Sequence, residues 1–346
     1  MLEQNGLSRA LEEARKKAVQ DYYDRRHETV ARLAWNVVGV GIGHKGTGSE
    51  EKRGVHIYVD GLKQNHPDRR IPIEDFAKST GVDAHLIEAG RFHSFGPEAG
   101  CSIGLDYEAP NVDPSITGTL GAVVDIAGTR YALGSNHVMR ANGHIPADKK
   151  LIFRPANRYI NNPTPYIFAR TDEFVELNVG SYLLPGVRNV VDCALAKIDY
   201  PRSNKIANEE VKFDTPVAPQ RGMTVKRVDV SDNAIGTVVD IHAHLLMDYS
   251  FGTVDLEDQV VIESQDPMKP FARRGDSGGL LVDQNSQATA LVVGGSMKDF
   301  RSKNPVAYTI ACPLSKVFEA LERRLGISSG TIKLVVPAAK PDVTAV

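Results

Sequence analysis

The sequence predicts a mainly β protein with two six-stranded antiparallel β-barrels, preceded by a small α+β module and followed by a closing helix. Three observations predict this fold. From about residue 100 onward, short apolar segments alternate with turns, these segments fall into two groups of about six, and few helical patterns lie between them. Strands recurring at this spacing are typical of barrels and sandwiches.

The first 95 residues follow a different pattern. Between residues 7 and 34, apolar side chains recur at three- and four-residue steps, which predicts one long helix. Its apolar stripe must be covered, either by a sheet of the same chain or by an oligomer contact. Segments rich in Val and Ile at 36–43 and 54–59 predict two strands, and DAHLIEAG suggests a third strand near 83–88. A short helix is expected from about Pro72.

These patterns divide the chain into three parts. A Gly- and Pro-bearing stretch at 94–100 predicts a linker between the first two parts. An amphipathic segment that begins with Pro313 predicts the final helix, and we expect a loose tail after it. The predicted boundaries are 1–95 for the α+β module, 100–326 for the two-barrel domain (barrel 1 at about 100–200, barrel 2 at about 210–312, helix at 313–326) and 327–346 for the tail.

Charge and hydropathy exclude several classes of protein. The formal net charge of the 346 residues is -2, so no nucleic-acid or anionic-membrane partner is indicated. No run reaches the length of about 18 uncharged apolar residues that a membrane span needs, and the N-terminus has no apolar segment of the secretory type. We therefore expect a cytoplasmic protein with no membrane partner.

The cysteines and histidines predict neither a disulfide framework nor a metal site. The three cysteines, Cys101, Cys193 and Cys312, are odd in number and form no CxxC pair, so we expect buried thiols in a reducing compartment. His242 and His244 are two residues apart on a predicted strand and would share one face, but no third metal ligand is evident. We predict no metal and no cofactor.

The segment RGDSGGL at 274–280 is the strongest chemical signal. Attack on an acyl carbon needs a rigidly held hydroxyl and backbone N–H groups directed at the developing oxyanion. Ser277 supplies the hydroxyl, and Gly275 permits backbone angles closed to other residues, so that the N–H groups of Gly275 and Ser277 can face one point. The alternative is a Gly-rich turn with an incidental serine.

A nucleophile of this kind needs a base, and the base needs a carboxylate to orient it. His137 follows an apolar strand; His144 competes with it but lies in a loop. Asp192 opens the apolar strand VVDCALAKI, where a buried carboxylate is costly without a partner. Asp199, at the far end of that strand, is the alternative.

Together these motifs resemble the chymotrypsin-like (trypsin-like) serine proteases. The order His, Asp, Ser and the segments SNHV, DCALAKI and GDSGG carry the resemblance, which spans about 100–326. It implies that Ser277 is the nucleophile, that His137 acts as general base and then general acid, and that Asp192 orients it. It also implies an oxyanion hole formed by the N–H groups of Gly275 and Ser277.

The front module resembles a narrower group. NVVGVGIGHKGTG, GVHIYV and GVDAHLIEAGRF are similar to the leading module of a bacterial group of trypsin-like proteins, and the plant narrow-leaf protein shares that arrangement. This resemblance implies an intracellular serine endopeptidase acting on a protein or peptide. The front module could build a homo-oligomer or bind a regulatory protein. The alternative function is a catalytically latent scaffold or binding protein with a protease fold, activated only by a partner or by oligomerisation.

The resemblance also suggests a pocket for the substrate side chain. The predicted pocket residues are Phe271 at the base and Gly294, Gly295 and Ser296 along the wall. An aromatic base with glycine walls favours an apolar side chain, whereas Arg273, Arg274 or Lys298 would instead attract an acidic one.

Activation departs from the secreted family members. Val138 stands where they usually carry a disulfide cysteine, and the nearest candidate for a freed N-terminus, CSIG at 101–104, follows no Arg or Lys. Asp276, which pairs with that amine in the secreted enzymes, therefore needs another partner, such as a neighbouring Arg. Partner binding, oligomerisation and loop ordering remain as alternative triggers.

Overall fold

The computed structural model describes fifteen stretches of the chain. They are residues 10–11, 13–18, 37–45, 52–59, 81–89, 92–94, 102–105, 117–145, 151–154, 166–181, 187–198, 211–228, 234–267, 269–296 and 307–336. The predicted helix near Pro72, most of the predicted linker, and Cys101, Asp199 and Lys298 lie outside them.

The described residues are predominantly strands, which confirms the mainly β prediction. The strands are β1 Val37–Lys45, β2 Lys52–Val59, β3 Ala84–Glu88, β4 Phe92–Ser94, β5 Ser102–Leu105, β6 Thr117–Thr119, β7 Ala122–Ile126, β8 Thr129–Gly134, β9 Leu151–Arg154, β10 Tyr166–Phe174, β11 Ala194–Ile198, β12 Thr224–Arg227, β13 Ile235–Tyr249, β14 Gly252–Ser264, β15 Leu280–Asp283, β16 Ala288–Ser296, β17 Tyr308–Pro313 and β18 Ile332–Leu334. Helices cover Asn136–Met139 and Leu314–Leu325, a 3₁₀ turn covers Ala141–Gly143, and residues 10–11 and 13–18 are helical.

The first barrel is built from an eight-stranded sheet in the order β18-β7-β8-β11-β10-β9-β5-β6. Only Leu120 and Gly121 separate β6 from β7, so β6, at one end of this order, is joined through the chain to β7, the second strand from the other end. With β6 and β7 counted as one bent strand, and with β18 set aside as an addition to the edge of β7, the first barrel has six strands, as predicted. Its interior is filled by buried side chains such as Ile103, Leu120 and Ile152.

The second barrel closes by hydrogen bonding. Its strands follow the order β12-β15-β16-β17-β14-β13, and β12 also pairs with β13, which completes an antiparallel ring of six. Its inward-facing side chains form one apolar cluster that includes Val225, Val238, Ile262, Phe271 and Leu281. Closure leaves no free edge where these six strands pair, but Gly294 to Ser296 of β16 extend past β15 and pair with β4 instead.

The sheet of the front module continues that of the second barrel. β2 pairs with β1 and β3, and β1 pairs with β13 through Gly39↔Leu245 and Val40↔His244. Leu11, Ala14 and Ala18 of the helical segment are buried in one apolar cluster with side chains of this sheet. For the described part of the helix, the covering surface is therefore a sheet of the same chain.

Strand β4 has no counterpart among the predicted elements. It consists of Phe92–Ser94, so its last residue is the first residue of the predicted linker. It lies between two strands of the second barrel, parallel to β13 and antiparallel to β16. A segment from the front of the chain is thus built into the sheet that carries the predicted pocket wall.

The C-terminal stretch is also more ordered than predicted. The helix Leu314–Leu325 ends at Gly326, whose φ of 67° is left-handed, as is common after a helix. The expectation of a loose tail from residue 327 is wrong in part, because β18 adds to the edge of β7. The N–H of Ile332 donates to the buried Glu322 Oε1 at 3.0 Å, which ties this strand to the helix.

Candidate active site

His137 is positioned by a short helix that follows β8. It is the second residue of Asn136–Met139 and is buried. The first N–H groups of a helix have no partner within the helix. Here the N–H of His137 donates to Asp192 Oδ1 at 3.1 Å, so the start of the helix and the ring share one carboxylate.

Asp192 lies two residues before β11 and has no exposed surface. Its Oδ2 is 2.5 Å from His137 Nδ1 and accepts a hydrogen bond from the Tyr249 hydroxyl at 3.1 Å. A buried carboxylate is stable only when donors compensate its lost hydration. The structure therefore brings two of the three predicted catalytic residues together, with both carboxylate oxygens engaged.

Tyr249 is the third group on this carboxylate, and nothing in the sequence motifs pointed to it. It ends β13, its ring packs edge-on against His137 with centroids 5.3 Å apart, and it stacks on Phe251 at 5.0 Å. Burial, followed by the charge of Asp192, raises the pKa of Tyr249 well above its usual value, so the hydroxyl keeps its proton and acts as a donor.

Ser277 lies in the turn before β15, and both barrels hold its backbone. The N–H of Thr119, from the first barrel, donates to Ser277 O at 2.8 Å, and the N–H of Gly278 donates to Val292 O at 2.7 Å. Gly278 has a φ of +90°, and a Cβ there would lie 2.5 Å from Thr119 O. Only glycine lets the two barrels approach so closely beside the serine.

The Ser277 hydroxyl does not bind the histidine. Ser277 Oγ donates to Val293 O at 2.8 Å, and the side chain has no exposed surface. His137 Nε2 is buried and has no hydrogen-bond partner among the described residues. The structure thus places the predicted nucleophile and base in one region without the hydrogen bond that would join them.

Asp276 has the arginine partner that the sequence led us to expect, but from another strand. Arg227 of β12 forms a buried ion pair with Asp276 Oδ2, which also accepts the N–H of Arg273 at 2.8 Å. The Arg227 guanidinium lies over the Phe271 ring, 5.8 Å from its centroid. These contacts fix the residue that precedes Ser277.

Gly275 has a φ of +99°, a backbone angle that residues other than glycine rarely adopt. Its carbonyl oxygen accepts the Thr119 hydroxyl at 2.7 Å, which fixes the peptide plane that follows it. The assignment of the Gly275 and Ser277 N–H groups to an oxyanion hole stays a prediction.

The predicted pocket residues lie in two environments. Phe271 is fully buried in the core of the second barrel and offers no accessible surface. Gly294, Gly295 and Ser296 are buried in β16, where each pairs with a residue of β4. Arg273 and Arg274, which would have favoured an acidic substrate, are exposed beside the serine turn.

The competing residues are placed elsewhere. His144 is exposed and faces Phe251, with ring centroids 6.2 Å apart.

The two histidines weighed as a metal pair lie in different environments. His242 is exposed and its Nδ1 lies 3.3 Å from Asp258 Oδ1, whereas His244 is buried, with its Nε2 2.5 Å from Asp255 Oδ1. The pairing of β13 with β14 is irregular on both sides of Ala243, between an exposed His242 and a buried His244. Within the described stretches, no group of three or more His, Cys, Asp or Glu side chains is arranged for a metal ion.

Cys193 and Cys312 are buried free thiols, as expected, and burial raises the pKa of both. The N–H of Asp192 donates to Cys312 Sγ at 3.4 Å, so one thiol contacts the backbone of the candidate site. None of the helices in the described part of the chain combines the length and apolar character required to cross a bilayer.

Comparison with known proteins shows a distant structural likeness. Solved structures of proteases are among those that resemble this chain. A glutamic acid-specific serine protease is 12% identical, with 70% of this chain and 100% of that chain covered and a TM-score of 0.42. Thermobifida fusca protease A is 16% identical, with 71% and 100% covered and a TM-score of 0.39. An α-lytic protease homologue is 15% identical, with 66% and 97% covered and a TM-score of 0.39. Neither a family model nor a curated protein matches the chain.

Proposed function

We propose that this protein is a serine endopeptidase that uses Ser277, His137 and Asp192. The observation that carries the proposal is the buried contact of 2.5 Å between His137 Nδ1 and Asp192 Oδ2. A carboxylate at Nδ1 leaves Nε2 as the nitrogen that can accept a proton, and it stabilises the imidazolium that results. Nε2 is the ring nitrogen that has no partner among the described residues.

In the proposed mechanism, the Ser277 hydroxyl first turns from Val293 O to His137 Nε2. Oγ attacks the substrate carbonyl carbon and its proton passes to Nε2, which gives a tetrahedral intermediate. The imidazolium then donates that proton to the leaving amine, and the C–N bond breaks to form an acyl-enzyme. Water, deprotonated by His137, attacks the acyl-enzyme and releases the acid and the free serine. The N–H groups of Gly275 and Ser277 would stabilise the oxyanion by about 3 kcal/mol each.

The proposed substrate is a protein or peptide inside the cell. The resemblance of the front module to an intracellular bacterial group supports this location, as does the absence of any disulfide among the described cysteines. The proposed pocket for the substrate side chain is roomy and largely apolar. The Phe271 ring is buried in the core of the second barrel.

A latent scaffold or binding protein is the second candidate. Two observations favour it: the Ser277 hydroxyl donates a hydrogen bond to Val293 O, and the side chain is fully buried. On this reading the protease fold is retained, and turnover needs a partner that reorients the serine.

Labelling with a fluorophosphonate probe tests the proposal. The native chain should form a covalent adduct on Ser277, detected by peptide mass mapping, whereas Ser277→Ala and His137→Ala should form none. Ser315→Ala, a change at an exposed serine of the closing helix, is the matched control and should label like the native chain. Labelling that survives Ser277→Ala would refute the assignment of the nucleophile. A folded native chain that does not label would favour the latent scaffold.

A further inference from the structure

The edge of β16 beside Ser277 is where an extended peptide would bind. Val293 O accepts the hydroxyl of Ser277, so Val293 is in direct contact with the proposed nucleophile. The next residues, Gly294 to Ser296, continue β16 away from it. A polypeptide cleaved at Ser277 must lie extended near this point, and strand edges bind extended peptides through backbone hydrogen bonds.

That edge already carries a strand of the same chain. Ser94 pairs with Gly294, His93 with Gly295, and Phe92 with Ser296 in an antiparallel ladder. From Phe92 to Ser94, β4 therefore runs towards Val293 and the nucleophile. A peptide substrate that used the β16 edge would need the same backbone groups.

Contacts on its other side hold β4 in place. Phe92 and His93 pair in parallel with Met247 and Asp248 of β13. The Phe92 side chain has no exposed surface and packs edge-on against Tyr58, with ring centroids 6.0 Å apart. Strand β4 thus has backbone partners on both sides and an aromatic anchor in the core.

We propose that β4 is an internal occupant of the substrate-binding edge, and that an extended peptide binds only when β4 leaves β16. This inference rests on the proposed function of Ser277. It accounts for the pairing of Gly294 to Ser296 with a strand of the same chain, next to the residue that accepts the Ser277 hydroxyl. A tethered strand acts at an effective concentration of the order of millimolar, so a free peptide competes poorly against it.

A peptide with the sequence of residues 89–100, AGRFHSFGPEAG, is the probe, tested in the Ser277→Ala background so that it cannot be cleaved. His93→Pro removes one backbone N–H of β4 and restricts its φ, whereas the matched control His93→Ala keeps the N–H. The fluorescein-labelled peptide should bind the His93→Pro protein at least about tenfold more tightly than the His93→Ala protein or the parent. Equal binding by the three folded proteins overturns the inference.

A disulfide lock keeps the inference testable if the proline variant does not fold. His93→Cys with Asp248→Cys joins β4 to β13, where parallel neighbours are about 4.8 Å apart and within disulfide range. With the peptide at millimolar concentration, the reduced protein should broaden the NMR signals of the peptide and the oxidised protein should not. The same result in both redox states, including no binding in either, overturns the inference.

Fluorophosphonate labelling of these variants with Ser277 intact separates the two proposals. Labelling at Ser277 that is faster in His93→Pro than in His93→Ala supports both. Labelling of Ser277 at one rate in all variants, with equal peptide binding, retains the protease and rejects the internal occupant. Peptide binding that depends on β4 without any labelling rejects the protease and retains β4 as the occupant of a peptide-binding edge.

Discussion

The two halves of the candidate site differ in how far they are assembled. The first barrel supplies His137 and Asp192, which are in contact at 2.5 Å and are joined a second time through the His137 N–H. The second barrel supplies Ser277, whose backbone is fixed but whose hydroxyl is bonded to Val293 O. The acid–base half, His137 with Asp192, is thus formed. In the nucleophile half, the Ser277 hydroxyl points to Val293 O and not to His137.

This difference has a physical origin. A buried carboxylate is expensive without donors, so Asp192 holds the histidine and the tyrosine in one arrangement. A serine hydroxyl is neutral and rotates between staggered positions, so any nearby carbonyl can bind it. The comparison teaches that the buried charge of Asp192 fixes its partners, whereas the neutral hydroxyl of Ser277 can take an acceptor other than His137.

Asp192→Asn should have the largest effect on the acid–base half. An amide cannot hold His137 in the tautomer that leaves Nε2 as the proton acceptor. The same Asp-to-Asn change lowers turnover by about 10⁴-fold in a Ser-His-Asp triad. Peptide hydrolysis and fluorophosphonate labelling measure it. Asp172→Asn, a change on an exposed carboxylate of β10, is the control and should leave both rates unchanged.

Arg227→Met should destabilise the nucleophile half. It removes the ion-pair partner of the buried Asp276 carboxylate, a loss that typically costs about 3–5 kcal/mol in free energy of unfolding. Urea unfolding at neutral pH measures the change. The double variant with Asp276→Asn should recover a substantial part of the loss, and a double variant as unstable as Arg227→Met alone would argue against the ion pair.

Asp240, in the strand that carries Tyr249, should make the free energy of unfolding depend on pH. Burial raises the pKa of Asp240 to about 6, although Tyr58, Arg221 and the His242 N–H stabilise its charge. Between about pH 4 and 6, the folded state keeps a proton that the unfolded state has released, so stability falls as the pH rises through this window. The fall amounts to about 3 kcal/mol.

Asp240→Asn should remove that part of the pH dependence. Urea unfolding of both proteins between pH 4 and 7 measures the difference, with Asp172→Asn as a control at an exposed carboxylate. Parallel curves for the native chain and Asp240→Asn would show that Asp240 does not titrate in this range.

Tyr249→Phe should have the smallest effect on catalysis. It removes one hydrogen bond to a charged carboxylate, worth about 1.5–3 kcal/mol, while it keeps the ring that packs on His137. We expect peptide hydrolysis to fall by about 10- to 100-fold. Tyr131→Phe, on a partly exposed tyrosine of β8, is the control. An unchanged rate in Tyr249→Phe would show that the two remaining donors suffice to orient Asp192.

Much of the architecture could be predicted from the sequence. Val- and Ile-rich segments marked β1 and β2, the segment DAHLIEAG marked β3, and the alternation of strands and turns marked both barrels. Strand β18 carried a usable signal in IKLVV, but the stretch PAAKPDV that follows it led us to predict a loose tail. Strand β4 carried almost none, because three residues have no periodicity and their pairing is with residues more than 150 positions away.

The candidate site could be predicted only where local sequence motifs mark its residues. His137, Asp192 and Ser277 stand in short local motifs, and the structure places the first two in contact. No local pattern specifies which strands become neighbours. The contacts of Tyr249 with Asp192 and of Arg227 with Asp276, and the hydrogen bond from Ser277 to Val293, depend on that arrangement. Phe271 was selected by its spacing from Ser277, yet its apolar ring is buried in the barrel core.

Proton NMR of the histidine rings tests the central claim most directly. A short Nδ1–carboxylate contact should produce a strongly downfield ring proton for His137, and the similar contact of His244 with Asp255 should produce a second, assigned with His244→Gln. The account predicts that the His137 signal persists in Ser277→Ala and disappears in Asp192→Asn. Loss of that signal in Ser277→Ala would contradict the account, because the acid–base half would then depend on the nucleophile.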